Sequence, residues 1–392
     1  MKYNFDKVVD RKNSDSKKWC NLEELYGTND VLPMWVADMD FKSADEIIEA
    51  FKDRADHGVF GYTWKQDSFY EAVINWVKKK HNWDIKKEWI LFTPGVVMGL
   101  NLGVRELADE GEKIMFQSPI YPPFYRVVEN NNRMLNVSPL KHNGEKFVMD
   151  FDDIRNKMDK DTKVMMLCNP HNPIGRVWTK EELTELGNIC MENDTIIISD
   201  EIHSDFILKG YKHIPIATIS KELEQRTVTL MAPSKTFNIA GLGTSIAIIP
   251  NDEIRTKYEK AIEVMEIGNV NIFGALGLEV AYNHGEQWLK EVLEYIEDNI
   301  DYAVDYINKN IPQIKVDRPE GTYLLWLDFN GLEKSTDEIF EALIKVGKVA
   351  LNDGRAYGEN GDGFFRLNIG CPRPILEEGL KRIEKSVKSM VK

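Results

Sequence analysis

Thr227-Val228-Thr229-Leu230-Met231-Ala232-Pro233-Ser234-Lys235-Thr236-Phe237-Asn238 passes from a β-branched, apolar run into a polar loop. The run stops at Pro233, which predicts a buried strand ending in a loop. That loop presents Lys235 among Ser234, Thr236 and Asn238. Ala240-Gly241-Leu242-Gly243 permits close backbone packing, and Thr244–Ile249 predicts the next strand. A lysine at a strand's end, among small polar residues, is placed to form a Schiff base with an aldehyde cofactor. Taken alone, Lys235 is one of many surface lysines. Its weight comes from what the neighbouring strand ends carry.

Upstream, strands and helices alternate. Strand Lys113–Gln117 leads to Tyr121, held among Pro119, Pro122 and Pro123. Strand Met134–Val137 follows. Strand Lys163–Cys168 leads to Asn169-Pro170-His171-Asn172-Pro173-Ile174-Gly175, and strand Thr195–Ser199 to Asp200-Glu201-Ile202-His203. A helix from Thr179, as N-cap, to Cys190 separates the last two. The alternation predicts a mostly parallel α/β sheet. Ligands of such sheets bind beyond the carboxyl ends of the strands. Tyr121, Asn172, Asp200 and Lys235 all fall there. Thr93-Pro94-Gly95-Val96-Val97 opens a helix reaching Leu107, and its N-terminal N–H groups are suited to a phosphate.

The flanking segments complete the plan. Residues 1–30 are polar and charged and read as an arm with little regular structure. Pro33–Phe41 is apolar and irregular, either a loop packed on the core or a pocket wall. Ser43-Ala44-Asp45-Glu46 has the capping-box pattern ahead of a helix to His57. A helix over Ser68–Lys80 places Phe69, Val73, Trp76 and Val77 on one face. Helices follow over Asp252–Met265 and Ile272–Asn283. A long helix, Gln287–Asn310, bridges to a second domain with strand Thr322–Phe329, helix Thr336–Val346, strand Phe364–Ile369 and final helix Pro374–Met390. Arg366 is a charge inside an apolar strand and needs a partner. That partner is a structural carboxylate or a substrate carboxylate held bidentately. The expected division is 1–45 as arm and part of the small domain, 46–286 as the large domain and 287–392 as the small domain.

The length of 392 residues suits about two domains. A formal net charge of −14 argues against nucleic acid or an anionic membrane as the main partner. Cys20, Cys168, Cys190 and Cys371 are far apart, so neither a metal site nor a disulfide framework is expected, and a reducing cytoplasm fits. No signal peptide or spanning segment is expected.

Asn172-Pro173-x-Gly175, Asp200 and Ser234-Lys235 together resemble the fold-type I pyridoxal-phosphate enzymes of the aspartate aminotransferase superfamily. Trp35–Phe41, Gly61-Tyr62-Thr63, Tyr121–Phe124, Cys168–Arg176, Asp200–His203, Ser234–Asn238 and Glu320–Leu324 are similar to the cystathionine β-lyase and C–S lyase subfamily. The resemblance implies an aspartate-aminotransferase-like large domain with a smaller α+β domain, and a homodimer with shared sites. It implies that Lys235 is the Schiff-base lysine, that Asp200 pairs with the pyridine nitrogen, and that Asn172 donates to the ring oxygen. Tyr121 would stack on the ring, with His203 beside it. Ser234, Val96 and Val97 would bind phosphate, and Tyr62 would reach it from the other subunit. Arg366 would bind the substrate carboxylate, with Trp35 and Tyr121 as an apolar wall. Many transaminases have a tyrosine where His203 stands and a phosphate-binding arginine where Gly243 stands. Both departures weaken the transaminase reading without excluding it, and the resemblance implies α,β-elimination of a β-thio amino acid such as cystathionine or cysteine to pyruvate, ammonia and a thiol. The rivals are an aminotransferase and a regulatory protein that binds a partner through the same scaffold.

Overall fold

The computed structural model describes residues 2–391. Its centre is a seven-stranded sheet built from β1 (Ile90–Thr93), β2 (Lys113–Ser118), β3 (Met134–Pro139), β4 (Thr162–Cys168), β5 (Ile196–Asp200), β6 (Thr227–Met231) and β7 (Ser245–Ile248). The strand order is β1-β7-β6-β5-β4-β2-β3. Pairs from β6 through β3 are parallel, whereas β7 runs antiparallel to both β6 and β1. The link from β6 to β7 contains only the short helical turns Pro233–Thr236 and Ala240–Leu242. With no crossover helix, the chain turns straight back. The central strands are buried on both faces, which is why they read as continuous apolar runs rather than alternating ones.

Helix α1 (Val96–Leu107) crosses this sheet with its N-terminus at the carboxyl ends of the parallel strands. Glycines let it lie close. A Cβ on Gly103 would collide with Ile198 of β5 and with the Tyr258 hydroxyl, and one on Gly99 would press on Leu230 of β6.

The long helix α2 (Glu286–Asn310) leads to a four-stranded antiparallel sheet of β8 (Lys315–Val316), β9 (Leu324–Asp328), β10 (Asn352–Asp353) and β11 (Phe364–Asn368). Its order is β8-β9-β11-β10. Arg366 lies on β11 between Trp326 of β9 and Asn352 of β10. Among the described residues no helix is long and apolar enough to cross a membrane.

Several local expectations needed correction. The arm contains two short helices, Lys17–Cys20 and Leu22–Tyr26. Strand β1 was not anticipated, because Ile90–Thr93 is too short to stand out from its helical flanks. The Ser43–Glu46 capping box does not form. The helix starts at Asp45 with Ala44 as its N-cap, and the Ser43 hydroxyl instead donates to the Asn238 carbonyl at 3.3 Å. Glu46 accepts from Lys2 and Tyr3 of the arm. The expected N-cap at Thr179 forms, and Glu182, which the sequence reading did not single out, completes a capping box with it at 3.2 and 2.9 Å.

The tight α1 packing sets a test. Gly103→Ala should lower unfolding stability by about 1–3 kcal/mol, because neither Ile198 nor Tyr258 has room to retreat in the core. Urea denaturation of the purified variant would read the change.

Candidate active site

The carboxyl ends of β2, β4, β5 and β6 open into one cavity of about 280 Å³. Val96, Val97, Tyr121, Asn172, Asp200, His203, Ser234 and Lys235 all line it, together with Ala37, Cys168 and Thr244. Of the lining residues Lys235 alone is an aliphatic amine. The topology explains the convergence, since parallel strands bring their exits to one edge.

Lys235 Nζ donates to the Ala37 carbonyl at 2.6 Å. Burial is the main influence pushing this amine down to about 8, and the nearby Arg366 charge adds to it. Burial likewise pushes the Asp200 carboxyl up to about 7, although it accepts the Ile202 N–H at 3.1 Å. His203 is held neutral by burial, well below its ordinary range, and Lys235 and Arg366 reinforce this. Its ring meets Tyr323 edge-on at 5.8 Å.

The anion-binding corner is built from backbone. Gly95, at φ 143°, precedes α1 without any side-chain cap, so the first N–H groups of the helix are left without intrahelical acceptors. The hydroxyl-bearing Ser234 and Thr244 line the same cavity. Gly243 occupies the left-handed region at φ 56°, a conformation that suits glycine and disfavours an arginine.

Arg366 is 3% exposed and, among the described residues, has no carboxylate partner: its hydrogen bonds go to neutral oxygens. It donates to Asn172 Oδ1 at 3.0 Å, to Asn352 Oδ1 at 2.7 Å and to the Trp35 carbonyl at 2.8 Å. Its Nε makes no hydrogen bond, and its guanidinium lies 5.3 Å from the Tyr357 ring centre. A buried guanidinium with only neutral partners leaves room for an anion. The contact with Asn172 also orients that amide: Oδ1 accepts, leaving Nδ2 as the donor.

Three sequence candidates do not line the cavity: Arg366 stands beside it, bonded to the lining residue Asn172, and Tyr62 and Trp35 lie elsewhere. Tyr62 is fully exposed at 106% and stands outside the cavity with the exposed Phe60 and Trp64. Trp35 does not form the expected wall. Its side chain packs with Leu22, Val31 and Ala350, and its indole donates to the Lys18 carbonyl at 3.1 Å. Only its carbonyl touches Arg366. Sequence reasoning missed the carbonyl of Ala37, Asn352 and Thr244. The pattern Trp35–Phe41 flagged the region, but no residue type marks a carbonyl as an acceptor.

Residues 29–383 match the family described as aminotransferase class I and II. The chain belongs to this family. Its resemblance to cystathionine β-lyases is also met. The chain is 42% identical to cystathionine beta-lyase PatB of Bacillus subtilis (strain 168), over 97% of this chain and 99% of that one. A PLP-bound structure from Clostridium difficile 630, whose assignment as an aminotransferase is provisional, is 51% identical with TM-score 0.97, covering 98% of this chain and 100% of that one. Cystalysin from Treponema denticola, whose structure contains a pyridoxal 5'-phosphate cofactor, is 35% identical with TM-score 0.96, covering 99% and 100%. For a class I and II member, the cavity's complement fits such a cofactor: an amine, a buried carboxylate, an aromatic ring and a helix N-terminus.

The Asp200 environment predicts a pH effect on the cofactor-free chain. Its carboxyl titrates near 3.8 when unfolded and near 7 when folded. Between those values the folded state binds the extra proton, so stability from this group falls as pH rises from about 4 to about 7. Asp200→Asn has no proton to lose. Thermal unfolding should find it more stable than the wild type above pH 7, with the gap closing toward pH 4.

Proposed function

We propose that this protein is a pyridoxal-phosphate-dependent carbon–sulfur β-lyase that cleaves L-cystathionine and related β-thio amino acids such as L-cysteine. The observation that carries the reading is the opposition of Lys235 and Asp200 in one cavity, with Arg366 beside it lacking an anion. The names of the relatives and the residues His203 and Gly243 favour elimination over amino transfer.

Bound pyridoxal phosphate supplies an aldehyde for the substrate amine and a ring that accepts electrons from Cα. Val96 and Val97 N–H groups with Ser234 hold its phosphate, and Tyr121 offers a ring face. Asp200 faces the ring nitrogen. A protonated ring nitrogen there stabilises the carboxylate that burial alone disfavours, so the two charges sustain each other. Asn172, whose Oδ1 accepts from Arg366 at 3.0 Å, would have its Nδ2 free to donate to the ring oxygen.

Arg366 takes the substrate α-carboxylate, and its unused Nε gives that anion a donor. This fixes Cα near Lys235. With its pKa lowered to about 8, Lys235 has a neutral fraction of about one tenth at pH 7 that rises to half near pH 8, and this neutral amine serves as the base for the Cα proton. The Cα–H electron pair then drives out the Cβ–S pair, and sulfur leaves as thiolate. With one water consumed, cystathionine yields homocysteine, pyruvate and ammonia.

Incubation with cystathionine and no added keto acid should therefore release pyruvate, ammonia and free thiol in equal amounts. A requirement for a keto acid, with a new amino acid formed, would replace the lyase reading with an aminotransferase. Arg366→Ala should raise KM roughly 10- to 100-fold, since it removes charge-assisted hydrogen bonds to the substrate.

The exposed Val59, Phe60, Tyr62 and Trp64 form an apolar surface that supports a homodimer in which Tyr62 enters the other subunit's phosphate corner. Mixing inactive Tyr62→Ala and Lys235→Ala chains under conditions of subunit exchange should restore activity. Proven exchange with no activity would exclude the shared site.

A further inference from the structure

The segment Trp35–Phe41 has neither helix nor strand, yet its carbonyls hold both functional cations. Trp35 O accepts from Arg366, and Ala37 O accepts from Lys235 and from the Tyr323 hydroxyl at 2.9 Å. Val36 O and Asp38 O accept from Asn368, while Met39 O and Phe41 O accept from Asn238. The Met39 N–H also donates to Asn238 Oδ1 at 3.0 Å and the Asp40 N–H to the Gly370 carbonyl at 2.8 Å, so the backbone is held from one side and the carboxylate side chains are free to be held from the other.

Those side chains meet the N-terminal arm in a neutral quartet. Arg11 Nη1 donates to Asp40 Oδ1 at 2.6 Å and to Asp38 Oδ1 at 3.1 Å, and its Nη2 donates to Asp38 Oδ2 at 2.6 Å. Lys18 Nζ donates to Asp40 Oδ2 at 2.7 Å and lies 3.6 Å from Asp38 Oδ1. Lys18 is 1% exposed, which is rare for a lysine and sustainable only with these partners. Its carbonyl also accepts from the Trp35 indole. Lys18 thus grips both ends of the stretch from Trp35 to Asp40, and Arg11 bridges its two carboxylates.

We propose that Arg11 and Lys18 are positioning residues, which clamp Asp38 and Asp40 so that the Ala37 carbonyl holds Lys235 in the cavity and the Trp35 carbonyl holds Arg366 beside it. The proposal rests on the lyase reading for its kinetic consequence, though not for its geometry. Neither residue touches the cavity. They act through two carbonyls, so loss of either shifts two groups at once. Displacements near 1 Å at a reacting centre cost up to about 100-fold in rate.

The test compares Arg11→Gln and Lys18→Met with Glu291→Gln in the full chain. Glu291 anchors the arm elsewhere, through the backbone N–H groups of Lys2 and Tyr3 at 2.9 Å. One readout is steady-state KM and kcat with cystathionine. The other is the labelling rate of Lys235 by an amine-selective reagent in the cofactor-free chain, located by peptide mass spectrometry. Arg11→Gln and Lys18→Met should raise KM and lower kcat, with kcat/KM down about 10- to 100-fold, and should change the Lys235 labelling rate several-fold. Glu291→Gln should lower the melting temperature while leaving both readouts near wild type. If Lys18→Met does not fold, Arg11→Gln and the milder Arg11→Lys decide, with Arg11→Lys falling between Arg11→Gln and wild type. Folded Arg11 variants with KM, kcat and labelling all within twofold of wild type overturn the proposal, as does an equal kinetic loss in Glu291→Gln. If the wild type makes no pyruvate, the lyase reading fails, and the Lys235 labelling rates still decide the positioning role.

Discussion

A buried amine with lowered proton affinity still needs a hydrogen-bond acceptor, and that need shapes the surroundings of Lys235. Burial, with the nearby Arg366 charge, lowers its proton affinity, and the Ala37 carbonyl at 2.6 Å gives the N–H an acceptor without adding a full negative charge. A carboxylate in that place would have raised the affinity again. The use of a carbonyl explains why a loop with no regular structure sits against the cavity.

The second constraint couples the two sheets. Arg366 comes from the four-stranded sheet and Asn172 from the loop after β4, and they meet at 3.0 Å. Gly175 reinforces the junction, since its carbonyl accepts from the N–H groups of Glu320 and Gly321 at 2.9 Å. Its φ of 69° keeps the backbone close to Pro319, where a Cβ would clash. Arg176 then binds Glu320 at 2.8 Å and also Glu182. The orientation of the Asn172 amide and of the Arg366 guanidinium is therefore one packing problem rather than two.

The phosphate corner takes a different route from the arginine-bearing transaminases that the sequence motifs resemble. Gly243 in the left-handed region supplies no charge there, and what this chain offers at the corner is an uncapped helix N-terminus with the hydroxyls of Ser234 and Thr244. Distributed neutral donors bind an anion with less dependence on one long side chain.

What was legible in the sequence followed from local periodicity. Apolar β-branched runs marked β2, β4, β5 and β6, and parallel topology places their ends on one edge, so Tyr121, Asn172, Asp200 and Lys235 could be grouped without coordinates. The buried charge at Arg366 was equally visible, because an ion inside an apolar strand always needs an explanation. Tertiary structure alone decided its partners. Asn172 lies 194 positions away, and neither residue type announces the other. Trp35 shows the same limit in reverse: an aromatic beside a candidate pocket suggested a wall, but the indole turns to Lys18 and leaves only the carbonyl for function. Ser43 matched a helix cap by spacing and was drawn instead to Asn238. Side-chain type and spacing report short-range preference, whereas carbonyl acceptors and long-range ion pairs exist only once the chain has closed on itself.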